Sequence, residues 1–208
     1  MADFAADAVS VLDAPNINKA HVFGGSMGGA IAQHVALDYP DRILGLILGC
    51  TIPTGALGHP KVVAPSPEVF AKLTRPKTGN RAQDIESSFP LVFTPRFIEG
   101  NSTLLERWRN NLLADPECSP ADEQLQLEAV VNTHDTYDLL GAIRHPTLIQ
   151  TGTEDLLVLA ENSRIMASLI PHARVIEYEN YGHDFLTEGG EKVINDILAF
   201  LDEVDRTT

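Results

Sequence analysis

The sequence predicts an α/β protein: a mostly parallel sheet with flanking helices, interrupted by an all-helical insert. Three observations predict it. A short apolar run, Ala20-His21-Val22-Phe23, leads through Gly24-Gly25-Ser26-Met27-Gly28-Gly29 into a helical pattern from Ala30 to Leu37. Arg42 to Cys50 is apolar almost throughout, which suits a parallel strand covered on both faces. After residue 132, apolar runs and helical periods alternate again, as a parallel sheet with crossover helices requires. Residues 1–50 and 133–208 then form the sheet core, and residues 51–132 form a helical cap. A chain of 208 residues can bury one substantial core.

Each element follows from local pattern. Residues 3–12 read as an amphipathic helix with Phe4, Ala8, Val11 and Leu12 on one face, ended by Pro15. Asn16 to Lys19 is a loop, and Ala20 to Phe23 is the first strand. The helix after Ser26 stops near Tyr39-Pro40. Its first turn, Gly28-Gly29-Ala30, is small enough for close packing on a sheet. From Thr51 onward the residues Pro53, Gly55, Gly58, Pro60, Pro65, Pro67 and Pro76 break up the chain. Helical patterns follow at about 81–90, 102–114 and 121–132, with no convincing strand among them. Thr136 to Ile143 reads as helical, Pro146 to Thr151 as a strand and Ala160 to Leu169 as a helix. Ala173 to Tyr178 is a strand, and Glu191 to Glu203 is a closing amphipathic helix.

Composition narrows the function classes. The formal charge of −14 makes nucleic acid and anionic membranes poor partners. No signal peptide and no bilayer-length apolar run stand out. Cys50 and Cys118 form no C-x-x-C and no disulfide framework, so a reducing cytoplasm is expected. No H-E-x-x-H or Cys/His cluster points to a metal, and no cofactor is implied.

The glycine-rich turn carries the chemistry. Gly24, Ser26 and Gly28 fit G-x-S-x-G, a strand-to-helix turn with the serine on a strained backbone at its apex. Side chains at the flanking glycines are expected to collide with strand and helix. The Met27 N–H and the start of the following helix face the same point and can hold an anion. A dinucleotide loop fails because Ser26 stands where its second glycine belongs. A P-loop fails because Ala30 stands where its lysine belongs.

A serine hydroxyl needs a base, and the base needs an orienting acid. Gly152-Thr153-Glu154-Asp155 and Tyr181-Gly182-His183-Asp184 each follow a strand, giving the chain order Ser, Asp, His. In a parallel sheet these loops emerge at one edge and can converge. Asp155 is the candidate acid, with Glu154 as its alternative, and His183 is the candidate base. His34 is assigned to packing or surface. His21, His145 and His172 border strands, and His59 and His134 lie in or beside the insert. Asp184 reads as a turn residue, Cys50 as buried packing, and Trp108 as either pocket lining or insert core.

These pieces resemble an α/β-hydrolase-fold serine hydrolase, more narrowly the capped esterase and 3-oxoadipate enol-lactonase-like group. The resemblance rests on Val22 to Gly29, Tyr39-Pro40-Asp41-Arg42, Pro146-Thr147-Leu148-Ile149, Gly152 to Asp155 and Tyr181-Gly182-His183. It covers both ends of the chain, and the insert matches only in kind. It implies Ser26 as nucleophile, Asp155 as acid, His183 as base and the Met27 N–H as one oxyanion donor. It also implies a small-molecule ester or lactone substrate.

Members of that family carry several strands before the helix that leads to the nucleophile. A glycine-containing loop among those strands supplies the second oxyanion N–H. Met1 falls at that helix, so the chain resembles the back part of a hydrolase: a fragment, a misplaced start or a natural short form. Loss of one oxyanion donor is expected to cost about 10²–10³ in rate. The strand at 20–23 is expected to present an open edge, with apolar surface around Phe4, Val9 and Leu12. Such an edge can pair with a second copy, most simply as a two-fold dimer. The alternative function is a weak or inactive shortened hydrolase that binds a ligand or partner.

Overall fold

A computed structural model of the chain describes residues 1–13, 16–53, 59–133 and 135–207. Strands β1 (Ala20–Gly25), β2 (Ile43–Gly49), β3 (Thr147–Gly152) and β4 (Ala173–Tyr178) form one parallel sheet in the order β1-β2-β3-β4. Helices α1 (Ala2–Asp13) and α2 (Met27–Asp38) precede β2. Helices α3 (Pro67–Leu73), α4 (Arg81–Val92), α5 (Pro95–Gly100), α6 (Ser102–Ala114) and α7 (Pro120–Glu128) lie between β2 and β3. Helices α8 (Ala160–Leu169), α9 (Phe185–Gly189) and α10 (Glu191–Asp205) follow β3. Gly25 pairs in register with Gly49, Gly49 with Gln150, and Gly152 with Tyr178. The carboxyl ends of the strands therefore line up along one edge of the sheet.

The two central strands, β2 and β3, are buried on both faces. Leu46 and Leu48 of β2 and Ile149 of β3 pack with Ala32 and Val35 of α2 and Met166 of α8. Ile47 and Leu148, pointing the other way, pack with Phe200 and Val204 of α10. Side chains alternate across a strand, so one continuous apolar run serves two layers.

Two expectations change. The buried face of α1 is Ala5 and Val9, flanked by half-buried Phe4 and Leu12, while Ala8 and Val11 are exposed. Burial of Val9 against α2 closes most of the apolar surface expected there. Pro67, read as a breaker, instead starts a helix, as do Pro95 and Pro120. Ser66, Thr94 and Ser119 cap α3, α5 and α7 with their side-chain oxygens, and Pro67, Pro95 and Pro120 follow as the first helical residue. Helices α3 and α5 were not anticipated, and neither was the five-residue α9. The last predicted insert helix ends at Glu128 and continues as a π turn, Ala129–Thr133. Thr136 to Ile143 forms a 3₁₀ turn, Tyr137–Ala142. Pro15, Gly55, Gly58 and His134 lie outside the described residues.

Buried polar groups fasten the roots of the insert to α2. Gln33, fully buried, donates to the Ile52 carbonyl at 2.9 Å. The Thr136 N–H donates to the Pro53 carbonyl at 2.8 Å, and the Thr136 hydroxyl lies within reach of both that carbonyl and Gln33 Oε1. At the other end of the sheet, β1 pairs among the described residues with β2 alone, and Phe23 is 44% exposed.

Candidate active site

The turn after β1 is held from several sides. Ser26 has φ 52° and ψ −121°, a sparsely populated conformation for a residue with a side chain. Its N–H donates to the Gly49 carbonyl at 2.9 Å, and its own carbonyl accepts from the Gly29 N–H at 2.9 Å and the Thr51 hydroxyl at 2.7 Å. A Cβ on Gly24 would lie 2.1 Å from the Gly28 carbonyl oxygen, and one on Gly29 would lie 2.5 Å from Thr51 Cβ. A Cβ on Gly28 would meet nothing within 4 Å. The steric demand thus falls on Gly24 and Gly29, and the expectation that Gly28 is equally constrained is corrected. Met27 opens α2, so its N–H has no acceptor within the helix.

The acid and base loops touch through their backbones. A Cβ on Gly152 would lie 2.2 Å from the Tyr181 carbonyl oxygen, which is why glycine ends β3. The Thr153 and Glu154 N–H groups donate to the carbonyls of Tyr178 and Tyr181 at 3.0 and 2.9 Å. This pairing turns Asp155 inward, to 4% exposure, and leaves Glu154 exposed. Asp155 Oδ1 accepts from the Leu157 and Val158 N–H groups, both at 2.8 Å. Oδ2 accepts from His183 Nδ1 at 2.8 Å. Of the two candidate acids, Asp155 is therefore the one that reaches the imidazole. A carboxylate on Nδ1 fixes the neutral tautomer with its proton there, leaving Nε2 as a lone-pair acceptor.

No hydrogen bond joins the Ser26 hydroxyl to His183 in this structure; such bonds are often long without substrate. Between them, at the tip of β2, sits Cys50, with φ 39° and 6% exposure. Its Sγ, an Asp155 carboxylate oxygen and a His183 ring nitrogen all lie within 4.8 Å of one another. Burial pushes the thiol well above its ordinary range, the Asp155 charge adds to that, and a hydrogen bond with the Ser26 backbone opposes it. Cys50 is therefore a buried thiol beside the Asp155–His183 pair. These three side chains could offer donors to a metal, yet His183 Nδ1 and Asp155 Oδ2 are already bonded to each other, which leaves Nε2 as the nitrogen free to bind.

The remaining candidates take structural places. Asp184 caps α9, its Oδ1 accepting from the Thr187 N–H at 3.0 Å. Trp108 belongs to the aromatic cluster of Phe89, Phe93 and Phe97, and its Nε1–H donates to Asp184 Oδ2 at 3.0 Å. His21 bonds Asp205, His145 bonds the Pro40 carbonyl, and His59 stacks on Tyr137. His34 lies near Asp38, with burial lowering its pKa. His172 precedes β4 with φ 63°. Sequence reasoning missed Glu188, half-buried beside the His183 loop. Burial pushes its carboxyl up, against the pull of hydrogen bonds from Thr94 and Gly182. Five residues after His183 and inside a short helix, it carried no signal that set it apart.

This fold and site place the chain in a defined class: it belongs to the α/β-hydrolase fold family, whose sequence pattern matches residues 1–190. Among its relatives is a protein named provisionally as carbamate hydrolase RutD, from Azorhizobium caulinodans. It is 28% identical over 209 residues, which cover 98% of this chain and 74% of the relative. Lipase 3 of a Moraxella species is 28% identical over 190 residues, covering 89% of this chain but 56% of the lipase. The chain thus spans about half the length of that lipase. The enol-lactonase of Burkholderia xenovorans shares the fold with a TM-score of 0.74 at 22% identity, over 95% of this chain and 71% of the other. Among the described residues, no helix is long and apolar enough to cross a membrane.

Proposed function

We propose that the chain is a serine hydrolase that cleaves a carboxylic ester or lactone, with Ser26 as nucleophile, His183 as base and Asp155 as orienting acid. His183 Nε2 takes the Ser26 hydroxyl proton as Oγ attacks the carbonyl carbon. The Met27 N–H donates to the oxyanion. His183 returns the proton to the leaving oxygen, and an acyl-enzyme remains on Ser26. Water, deprotonated by the same imidazole, releases the acid. Residues 51–132 act as the cap that shapes the substrate pocket. The observation that carries this reading is the 2.8 Å bond from His183 Nδ1 to a buried Asp155, at the strand edge where Ser26 sits on its strained turn.

The test is labelling with a fluorophosphonate probe followed by peptide mass spectrometry. The expected adduct is on Ser26, and replacing His183 by Ala should slow labelling by about 10²–10⁴. Hydrolysis of a p-nitrophenyl ester should be nearly abolished in Ser26→Ala. A non-catalytic ligand-binding protein is the alternative reading. Folded protein that takes no label would favour it.

A further inference from the structure

The loop that carries His183 is bonded to the helical insert on both sides of the base. On one side the Gly182 N–H donates to Glu188 Oε2 at 3.1 Å. The other oxygen of that carboxylate accepts from the Thr94 N–H at 2.6 Å, and the Thr94 hydroxyl lies 3.4 Å from Oε2. On the other side the Asp184 N–H donates to the Val92 carbonyl at 3.0 Å, and Asp184 Oδ2 accepts from Trp108. The backbones meet closely as well, since a Cβ on Gly182 would lie 2.8 Å from the Val92 oxygen. Asp184 Oδ1 caps α9 and Oδ2 accepts from the Thr187 hydroxyl at 2.7 Å as well as from Trp108, so the Trp108 bond reaches beyond the cap, and the bonds of Glu188 to Thr94 and Gly182 lie outside the cap altogether. Both carboxylates are half-buried, and a half-buried acceptor that loses its donors is costly.

We propose that Glu188 and Asp184 are positioning residues that lock the place of the His183 imidazole to the place of the insert. The ring cannot keep its bond to Asp155 while the insert shifts by an ångström, because Gly182 and Asp184 move with Val92, Thr94 and Trp108. Whatever settles the insert over the strand edge, such as a substrate held beneath it, also settles the base. This inference rests on the hydrolase reading for its consequence in catalysis, though the mechanical coupling stands apart from it.

The coupling can be read directly. Trp108 is the only tryptophan of the chain, so its emission reports the joint. The His183 Nδ1 proton, held by Asp155, reports the base by its NMR resonance. Glu188→Ala should shift or broaden that resonance and change the Trp108 emission. It should also lower kcat for a p-nitrophenyl ester by about 10–100-fold with KM nearly constant, the size of effect expected from a base misplaced by about an ångström. Glu188→Gln, which keeps one acceptor oxygen, should recover part of each change. Should Glu188→Ala fail to fold, Trp108→Phe removes the donor to Asp184 while keeping an aromatic ring in the cluster of Phe89 and Phe93, and should still move the His183 resonance. An unmoved His183 resonance in a folded variant overturns the proposal. So does a fall in melting temperature with kcat unchanged. A wild-type protein that takes no fluorophosphonate label defeats the hydrolase reading alone, and the resonance still decides the coupling.

Discussion

The sheet and the helical insert are buried by different means. Every residue of β3 is buried, and neighbouring side chains of β2 and β3 go into opposite layers, against α2 and α8 or against α10. In the insert, α3 and α7 bury no residue at all, and the apolar contacts concentrate in Phe93, Phe97 and Leu105 with Phe89 and Trp108 around them. The sheet places Ser26, Cys50, Asp155 and His183 through strand register and backbone contacts that no side chain can adjust. The insert touches the same site through a few hydrogen bonds at the His183 loop. A site built this way is fixed where the sheet holds it and adjustable where the insert meets it.

The largest expected effect lies in the sheet half. Gly24→Ala forces a Cβ onto the Gly28 backbone and should cost about 3–5 kcal/mol, the range of severe backbone conflicts. Gly28→Ala meets open space in the first turn of α2 and should cost less than about 0.5 kcal/mol, since alanine is the better helix former. Chemical denaturation of both variants checks the pair. Equal losses would mean that the turn is constrained by something other than the contact of Gly24 with Gly28.

Core truncations should separate the two regions. Leu48→Ala should cost about 2–5 kcal/mol and lower protection of the whole sheet. Phe97→Ala removes an aromatic of comparable burial, but its loss should be felt locally, through the cluster around Leu105 and Trp108. Amide exchange measured by mass spectrometry should quicken across residues 81–114 while β2 and β3 keep their protection. A uniform loss across both regions would show one cooperative unit and would dissolve the comparison.

The same contrast governs what could be read in advance. β2 was legible because a strand covered on both faces is apolar over its length, β3 and β4 because short runs rich in β-branched and aliphatic residues alternate with helical periods, and Ala160–Leu169 because its periodicity is unbroken. The insert was half legible. Its prolines look like breakers when taken singly, and only the pairs Ser66-Pro67, Thr94-Pro95 and Ser119-Pro120 identify them as helix starts. Asp155 and His183 were legible from strand ends, and the structure brings them together. Cys50 was read as buried packing, and it is buried, but its contact with Asp155 and His183 was not legible, nor was Glu188, whose bond to Thr94 joins positions far apart in sequence.

The smallest effect expected belongs to the outer face of the sheet half. Arg164 of α8 donates from Nε to Glu177 Oε1 of β4 at 2.7 Å, with a second bond to Oε2. The guanidinium holds the Glu177 carboxyl below the usual glutamate value, chiefly through those bonds. A carboxyl with a depressed folded-state pKa stabilises above its unfolded value, and that contribution fades as pH falls through the folded one. Glu188 runs the other way: burial raises its pKa, so its contribution is present below the unfolded value and is lost as pH rises through the folded one. Arg164→Met should therefore lower the melting temperature at neutral pH by about 2 °C or less, as for other exposed pairs, and should match wild type in acid. Glu188→Gln should show the opposite trend, gaining on wild type as pH rises. Melting curves of the three proteins across pH 3–8 decide it. A gap between Arg164→Met and wild type that persists at the acid end would show that Arg164 acts through packing of its stem on β4 rather than through the charge of Glu177.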